Sequence, residues 1–128
     1  MAKFKFDHVH LRSPNPGETA AFYERMFDAT VIPTMKGGQP RVDLDLCGQK
    51  FFIAPTGPED GAADAPQSPY MGLEHIGLFV TDIDDVVAEL KAKGAAFTME
   101  PTTIYPGTRI AFLRGPEGVS IELVDRNV

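Results

Sequence analysis

Two histidines and one glutamate carry most of the chemistry open to this chain of 128 residues. His8 lies in FDHVHLRSPN (residues 6–15) and His75 in LEHIGLFVTD (residues 73–82). The two stretches align at an offset of 67, which also sets Leu78 on Leu11 and Asp82 on Asn15. Glu122 stands in the terminal run VSIELV. Two imidazoles and one carboxylate suit a divalent transition metal and leave coordination positions open for substrate or water. A metal held that way acts as a Lewis acid on a carbonyl, enolate or diol, or activates O2 if it is iron. A lone histidine at a strand centre is ordinarily a hydrogen-bonded packing group, and a lone glutamate a rim carboxylate. The repeat argues for a site, because packing alone does not require histidines at equivalent points.

Hydrophobic periodicity predicts the elements that hold these residues. Residues 4–12 alternate, with Val9 and Leu11 on one face and His8 and His10 on the other. Residues 18–27 carry helical spacing through Ala21, Phe22, Arg25 and Met26, and residues 30–34 form a short β-branched strand. After a Gly-Gly turn, residues 41–46 alternate, and Gly48-Gln49 closes a hairpin into residues 50–54. The run PTGPEDGAADAPQSP, residues 55–69, has the composition of a linker. Beyond it come a strand at 73–80, a helix at 83–93 with Asp82 as N-cap and Gly94 as stop, and a strand at 95–99. A loop at 100–107, a strand at 108–113, the turn RGPEG and a strand at 119–124 complete the pattern.

The order is β-α-β-β-β, twice. It predicts an α+β fold of two βαβββ modules, whose curved mixed sheets enclose a common cavity. Residues 1–128 form a single domain, with module one at 1–56, a linker at 57–70 and module two at 71–128. Parity assigns the faces. Ile76, Leu78 and Val80 lie under the helix, as do Val119, Ile121 and Leu123, so His75, Ser120 and Glu122 turn the other way. His8, His75 and Glu122 are therefore expected to face one cavity.

A net charge of −6 and a pI near 4.9 argue against nucleic acid or an anionic membrane as partner and favour a small-molecule substrate. Cys47 has no partner for an internal disulfide, which suits a reducing compartment; it reads as a small buried thiol at a strand end. MAKFKFD has no signal-peptide core, and no apolar run is long enough for a bilayer. The expectation is a cytoplasmic protein, completed as a homodimer.

Three stretches, FDHVHLRSPN with the following AAFYERMF, LEHIGLFVTDIDDVVAELKAKGA, and TRIAFLRGPEGVSIELVD, together resemble the vicinal oxygen chelate superfamily. That superfamily includes glyoxalase I, methylmalonyl-CoA epimerase, extradiol dioxygenases and bleomycin-resistance-type binding proteins. The resemblance covers almost the whole chain, and the G-P-E-G turn leading into I-E-L is its most specific part. It implies paired βαβββ modules with metal ligands on the first and last strands of each: His8 from module one, His75 and Glu122 from module two. The metal would be divalent, one of Zn, Ni, Fe, Mn or Co.

Matching Gly48 to Gly118 sets Phe52 at the fourth ligand place, where glyoxalase I-like enzymes carry a carboxylate. Two histidines and one glutamate are similar to the dioxygenases, yet Phe112 stands where those carry a tyrosine, ten residues before the final glutamate. The function implied is a glyoxalase-like lyase or isomerase that chelates a small oxygenated substrate and stabilises an enediolate. An extradiol-type dioxygenase and a non-catalytic binding protein with Phe51, Phe52, Phe79 and Phe112 around an aromatic cleft are the alternatives. Glu122, His10 and Asp45 are the candidate catalytic groups, with Asp43 beside Asp45 on its strand. His10 shares the face of His8, and Asp45 would supply the missing base. Arg109, Arg114 and Tyr105 are further candidates for holding a substrate carboxylate.

Overall fold

Among the described residues, eight strands and two α-helices give βαβββ twice along the chain. The computed structural model describes residues 2–126, apart from the side chains of Lys36, Gln39 and Pro40. The chain divides into two compact units, Met1–Ala63 and Asp64–Val128. The first holds β1 (Val9–Ser13), α1 (Pro16–Phe27), β2 (Thr30–Lys36), β3 (Gln39–Leu46) and β4 (Gln49–Pro55). The second holds β5 (Ile76–Phe79), α2 (Ile83–Ala92), β6 (Ala96–Tyr105), β7 (Thr108–Arg114) and β8 (Ser120–Arg126). Each unit forms a mixed four-stranded sheet, in the orders β1-β4-β3-β2 and β5-β8-β7-β6. In both, the first strand pairs parallel with the last and the other pairs are antiparallel, so the helix is the crossover between two edge strands that run parallel.

In the first unit α1 starts at Pro16, two residues before the periodic pattern. Proline at the first helical position loses no bond, and the Asn15 side chain accepts from the Glu18 N–H at 3.2 Å. Ser13 ties the end of β1 to the helix, its Oγ accepting from the Asn15 N–H at 3.0 Å and the Thr19 hydroxyl at 2.7 Å. Tyr23 of α1 and Leu44, Leu46 and Ile53 of the sheet beneath it are almost wholly buried. Burying one such side chain is worth about 1.5–3 kcal/mol. β1 starts later than its alternation suggests; Phe4 and Phe6, upstream of it, are exposed.

The second unit repeats this with Ile83, Val87 and Leu90 of α2 packed over Leu113, Ile121 and Leu123. One expectation fails. The expected loop at 100–107 shrinks to a turn at 106–107, because β6 runs on to Tyr105 through several register shifts. β6 is an edge strand, where Pro101 removes no ladder hydrogen bond from a neighbour. The same holds for Pro33 on the edge strand β2.

Asp82 precedes α2 in the left-handed conformation (φ 55°) and gives the helix no side-chain cap. That role passes to Asp125 on β8, whose Oδ2 accepts from the Ile83 N–H at 3.1 Å. Among the described residues, no helix is long and apolar enough to cross a membrane. Replacing Asp125 with alanine is expected to cost about 1 kcal/mol, the usual value of a helix cap, measured by urea denaturation. Asp82→Asn, which tolerates the same left-handed backbone, should cost far less.

Candidate functional site

In the second unit β5 and β8 run parallel with Gly77 opposite Glu122, while β7 sets Phe112 opposite the same glutamate. Residues paired directly across strands share a face. Glu122 thus projects from the side of the sheet away from α2, and Ile121 and Leu123 beside it are buried under the helix. His75 immediately precedes β5 and reaches the same side, with its Nε2 3.4 Å from Glu122 Oε1. Its Nδ1 is bonded to Glu74 Oε1 at 2.6 Å, and Phe112 packs edge-on against the ring, centroids 5.1 Å apart. Gly77 lies directly beside the carboxylate, where a Cβ would make an ordinary contact with Glu122 Oε1 at 3.5 Å. Next to this pair lies an open cavity of about 320 Å³, lined by Glu74, Met99, Phe112, Arg114 and Ser120 among others.

In the first unit the open face holds His8, His10, Phe52, Asp43 and Arg41. His8 Nδ1 bonds Asp7 Oδ2 at 2.7 Å, and its ring stacks on Phe52 with centroids 4.0 Å apart. The Arg41 guanidinium lies 3.9 Å from the Phe52 centroid. Two groups that close cannot share one side of the ring, so Phe52 is sandwiched between imidazole and guanidinium. Arg41 also donates to Asp43 in a fork, Nε to Oδ1 at 2.8 Å and Nη2 to Oδ2 at 3.1 Å. His10 stands opposite Phe52 in the register, 6.3 Å from His8 between ring centroids. Burial, then the charges of Arg12, His8 and Arg41, push its pKa down and favour the neutral ring.

The two units exchange an acid and an aromatic ring between neighbouring strands. Across β3 and β4 the pair is Asp43 with Phe52; across β7 and β8 it is Phe112 with Glu122. Sequence matching finds the aromatic residue at position 52. Only the register shows that the carboxylate sits one strand away, already clamped by Arg41.

Among the described residues, neither unit by itself gathers three or more His, Cys, Asp or Glu side chains around one point. His8 and His10 lie in the first unit, His75 and Glu122 in the second. Asp45, the candidate base, uses Oδ1 to accept from the Gly48 N–H at 2.8 Å in the β3–β4 turn. Cys47 is exposed rather than buried, because it occupies that turn in the left-handed conformation (φ 52°) instead of continuing the strand. Partial desolvation and Asp45 push its thiol pKa up, the reverse of an activated nucleophile.

Phe51 belongs to the core against Tyr23, so the aromatic residues do not all share the open side. Arg109 faces the helix side and pairs with Asp84 at 2.7 Å, whereas Arg114 lines the cavity and Tyr105 is exposed. The sequence reading missed Asp7 and Glu74. Their signal was present as an acidic residue directly before each of the two aligned histidines.

A family model described as the Glyoxalase/Bleomycin resistance protein/Dioxygenase superfamily matches residues 5–123. The chain belongs to this superfamily. The chain is 26% identical over 129 residues to a probable lactoylglutathione lyase of Vibrio cholerae serotype O1, covering 97% of this chain and 92% of that protein. It is 39% identical over 56 residues to a probable chloroplastic lactoylglutathione lyase of Arabidopsis thaliana, which is 43% of this chain but only 16% of the longer plant protein. Among solved structures, a glyoxalase family protein from Enterococcus faecalis superposes with a TM-score of 0.72 at 25% identity, covering 98% of this chain and 100% of that one. The α+β fold of two βαβββ units is the one these superfamily neighbours share.

The Arg41–Asp43 fork is largely shielded, its side chains 17% and 14% exposed. Asp43→Ala strands a cation on the face of Phe52 and is expected to destabilise by about 2 kcal/mol in urea melts. Adding Arg41→Met to that variant should recover part of the loss, because the stranded charge is then gone.

Proposed function

We propose that this superfamily member is a metal-dependent enzyme of the glyoxalase type, a lyase or isomerase acting on a small oxygenated substrate. The reading rests on one contact, His75 Nε2 facing Glu122 Oε1 at 3.4 Å while Nδ1 is held by Glu74. With its hydrogen on Nδ1, a neutral ring turns a lone pair toward a carboxylate that also only accepts. Two acceptors in that position fit a cation between them, and imidazole with carboxylate is a donor set for a divalent transition metal. His75 and Glu122 would hold it, with His8 as third ligand.

When bound, such a metal supplies Lewis-acid stabilisation of negative charge developing on adjacent substrate oxygens. The protein's own groups do the rest. Met99 and Phe112 offer apolar contact in the neighbouring cavity, and Arg114 on its wall suits an anionic end of the substrate. Glu122 and His10 are the proposed proton-transfer groups. Asp45 is the alternative base, though the bond to Gly48 suits it to holding its turn. The working form is taken as a cytoplasmic homodimer. A metal-free binding protein is the second reading, favoured by Phe52 occupying the fourth ligand place between His8 and Arg41.

Elemental analysis of protein purified without added metal decides between the two. Stoichiometric metal is expected in the wild type and none in His75→Ala; full occupancy in that variant contradicts the assignment. Glu122→Gln should lower turnover about 100-fold or more, as loss of a group serving developing charge generally does. Oxygen uptake with catechols by the iron-loaded protein would instead mark a dioxygenase.

A further inference from the structure

In a regular strand, neighbouring side chains point to opposite faces, so an acid and the histidine after it do not meet. In both units of this chain they do. Asp7 Oδ2 bonds His8 Nδ1 at 2.7 Å, and Glu74 Oε1 bonds His75 Nδ1 at 2.6 Å. Both pairs stand just upstream of a strand, β1 starting at Val9 and β5 at Ile76, where the chain is free of the pleat. The two pairs are related by the same offset of 67 that relates the histidines.

We infer that Asp7 and Glu74 are positioning residues that fix the tautomer and heading of His8 and His75. The inference deepens the metal-site reading and rests on it for the identity of the ligand. A carboxylate can only accept, so the ring hydrogen is drawn to Nδ1 and the lone pair is left on Nε2. On His75 that nitrogen is the one facing Glu122 at 3.4 Å. Holding the far nitrogen of a ligand imidazole is how outer carboxylates raise its basicity and lock its ring plane. Here the restraint comes from the adjacent residue, so it is built into the dipeptide and needs no distant partner.

Solvent competes unequally for the two pairs. The Glu74 side chain is 25% exposed and that of Asp7 is 74% exposed, so Glu74 governs its histidine more strongly.

The test reads the tautomer directly. Nitrogen-15 NMR of the metal-free protein, recorded where the ring shifts show neutral imidazoles, should find His8 and His75 with hydrogen on Nδ1. Glu74→Ala should shift His75 toward the form with hydrogen on Nε2, the nitrogen that still faces Glu122, and leave His8 unchanged. Glu74→Gln, whose amide oxygen still accepts, should keep the Nδ1–H form. In a cobalt(II) titration, Glu74→Ala should bind about 10–100-fold more weakly than wild type, with a shifted d–d spectrum, and Asp7→Ala should lose less. Glu74→Gln should retain most of the affinity.

His75 carrying its hydrogen on Nε2 in the wild type, or an unchanged tautomer in Glu74→Ala, overturns the inference. Equal cobalt affinity in Glu74→Ala and wild type does so too. If no variant and no wild type takes up cobalt, the metal reading falls, and the tautomer measurement still decides whether the acids orient the rings.

Discussion

The parallel pairing of β5 with β8 is the constraint on which the second unit's chemistry depends. It puts Gly77 beside Glu122 and sends both to the side that α2 does not cover. A slip of one residue would bury the carboxylate under the helix and bring Ile121 or Leu123 out into water. The core forbids it, since both of those side chains are fully buried. The position of Glu122 is thus enforced by the apolar residues on either side of it, and His75, directly upstream of β5, reaches the same side.

The first unit obeys the same backbone plan and reaches a different outcome. Its parallel pair β1·β4 sets His10 opposite Phe52, where the second unit has Gly77 and Glu122. Filling that place with a ring removes a carboxylate and adds an aromatic surface on which His8 and Arg41 both stack. The acid that remains nearby, Asp43, is neutralised by Arg41. One unit keeps an open imidazole–carboxylate contact and the other a closed stack. A duplicated scaffold can specialise in this way because side chains on the uncovered face change without disturbing the core beneath. It is also why one superfamily hosts unrelated chemistries, and why membership alone does not select among them.

Much of the plan was legible in the sequence. Alternation with period two placed Val9, Leu11, Ile121 and Leu123 inside and His8 and Glu122 outside, and the repeat of FDHVHL in LEHIGL announced a duplicated unit. These features survive because they follow from burial of one sheet face, which any register of the fold must satisfy. Proline and glycine misled where they usually inform. Residues 100–107 look like a loop, yet 100–105 form the outer half of an edge strand, and edge position is a property of the sheet.

The sequence by itself determined which residues alternate, where each helix ends and that two histidines occupy equivalent places. The tertiary structure alone decided that Asp125 rather than Asp82 caps α2, that Asp43 is spent on Arg41, and that Glu74 rather than a remote group holds the His75 ring. The physical reason is common to all three. Periodicity encodes which face a side chain occupies, whereas a hydrogen-bond partner depends on register, on where pairing begins and on which competing donor lies nearest. Those distances are set only once the sheet has assembled.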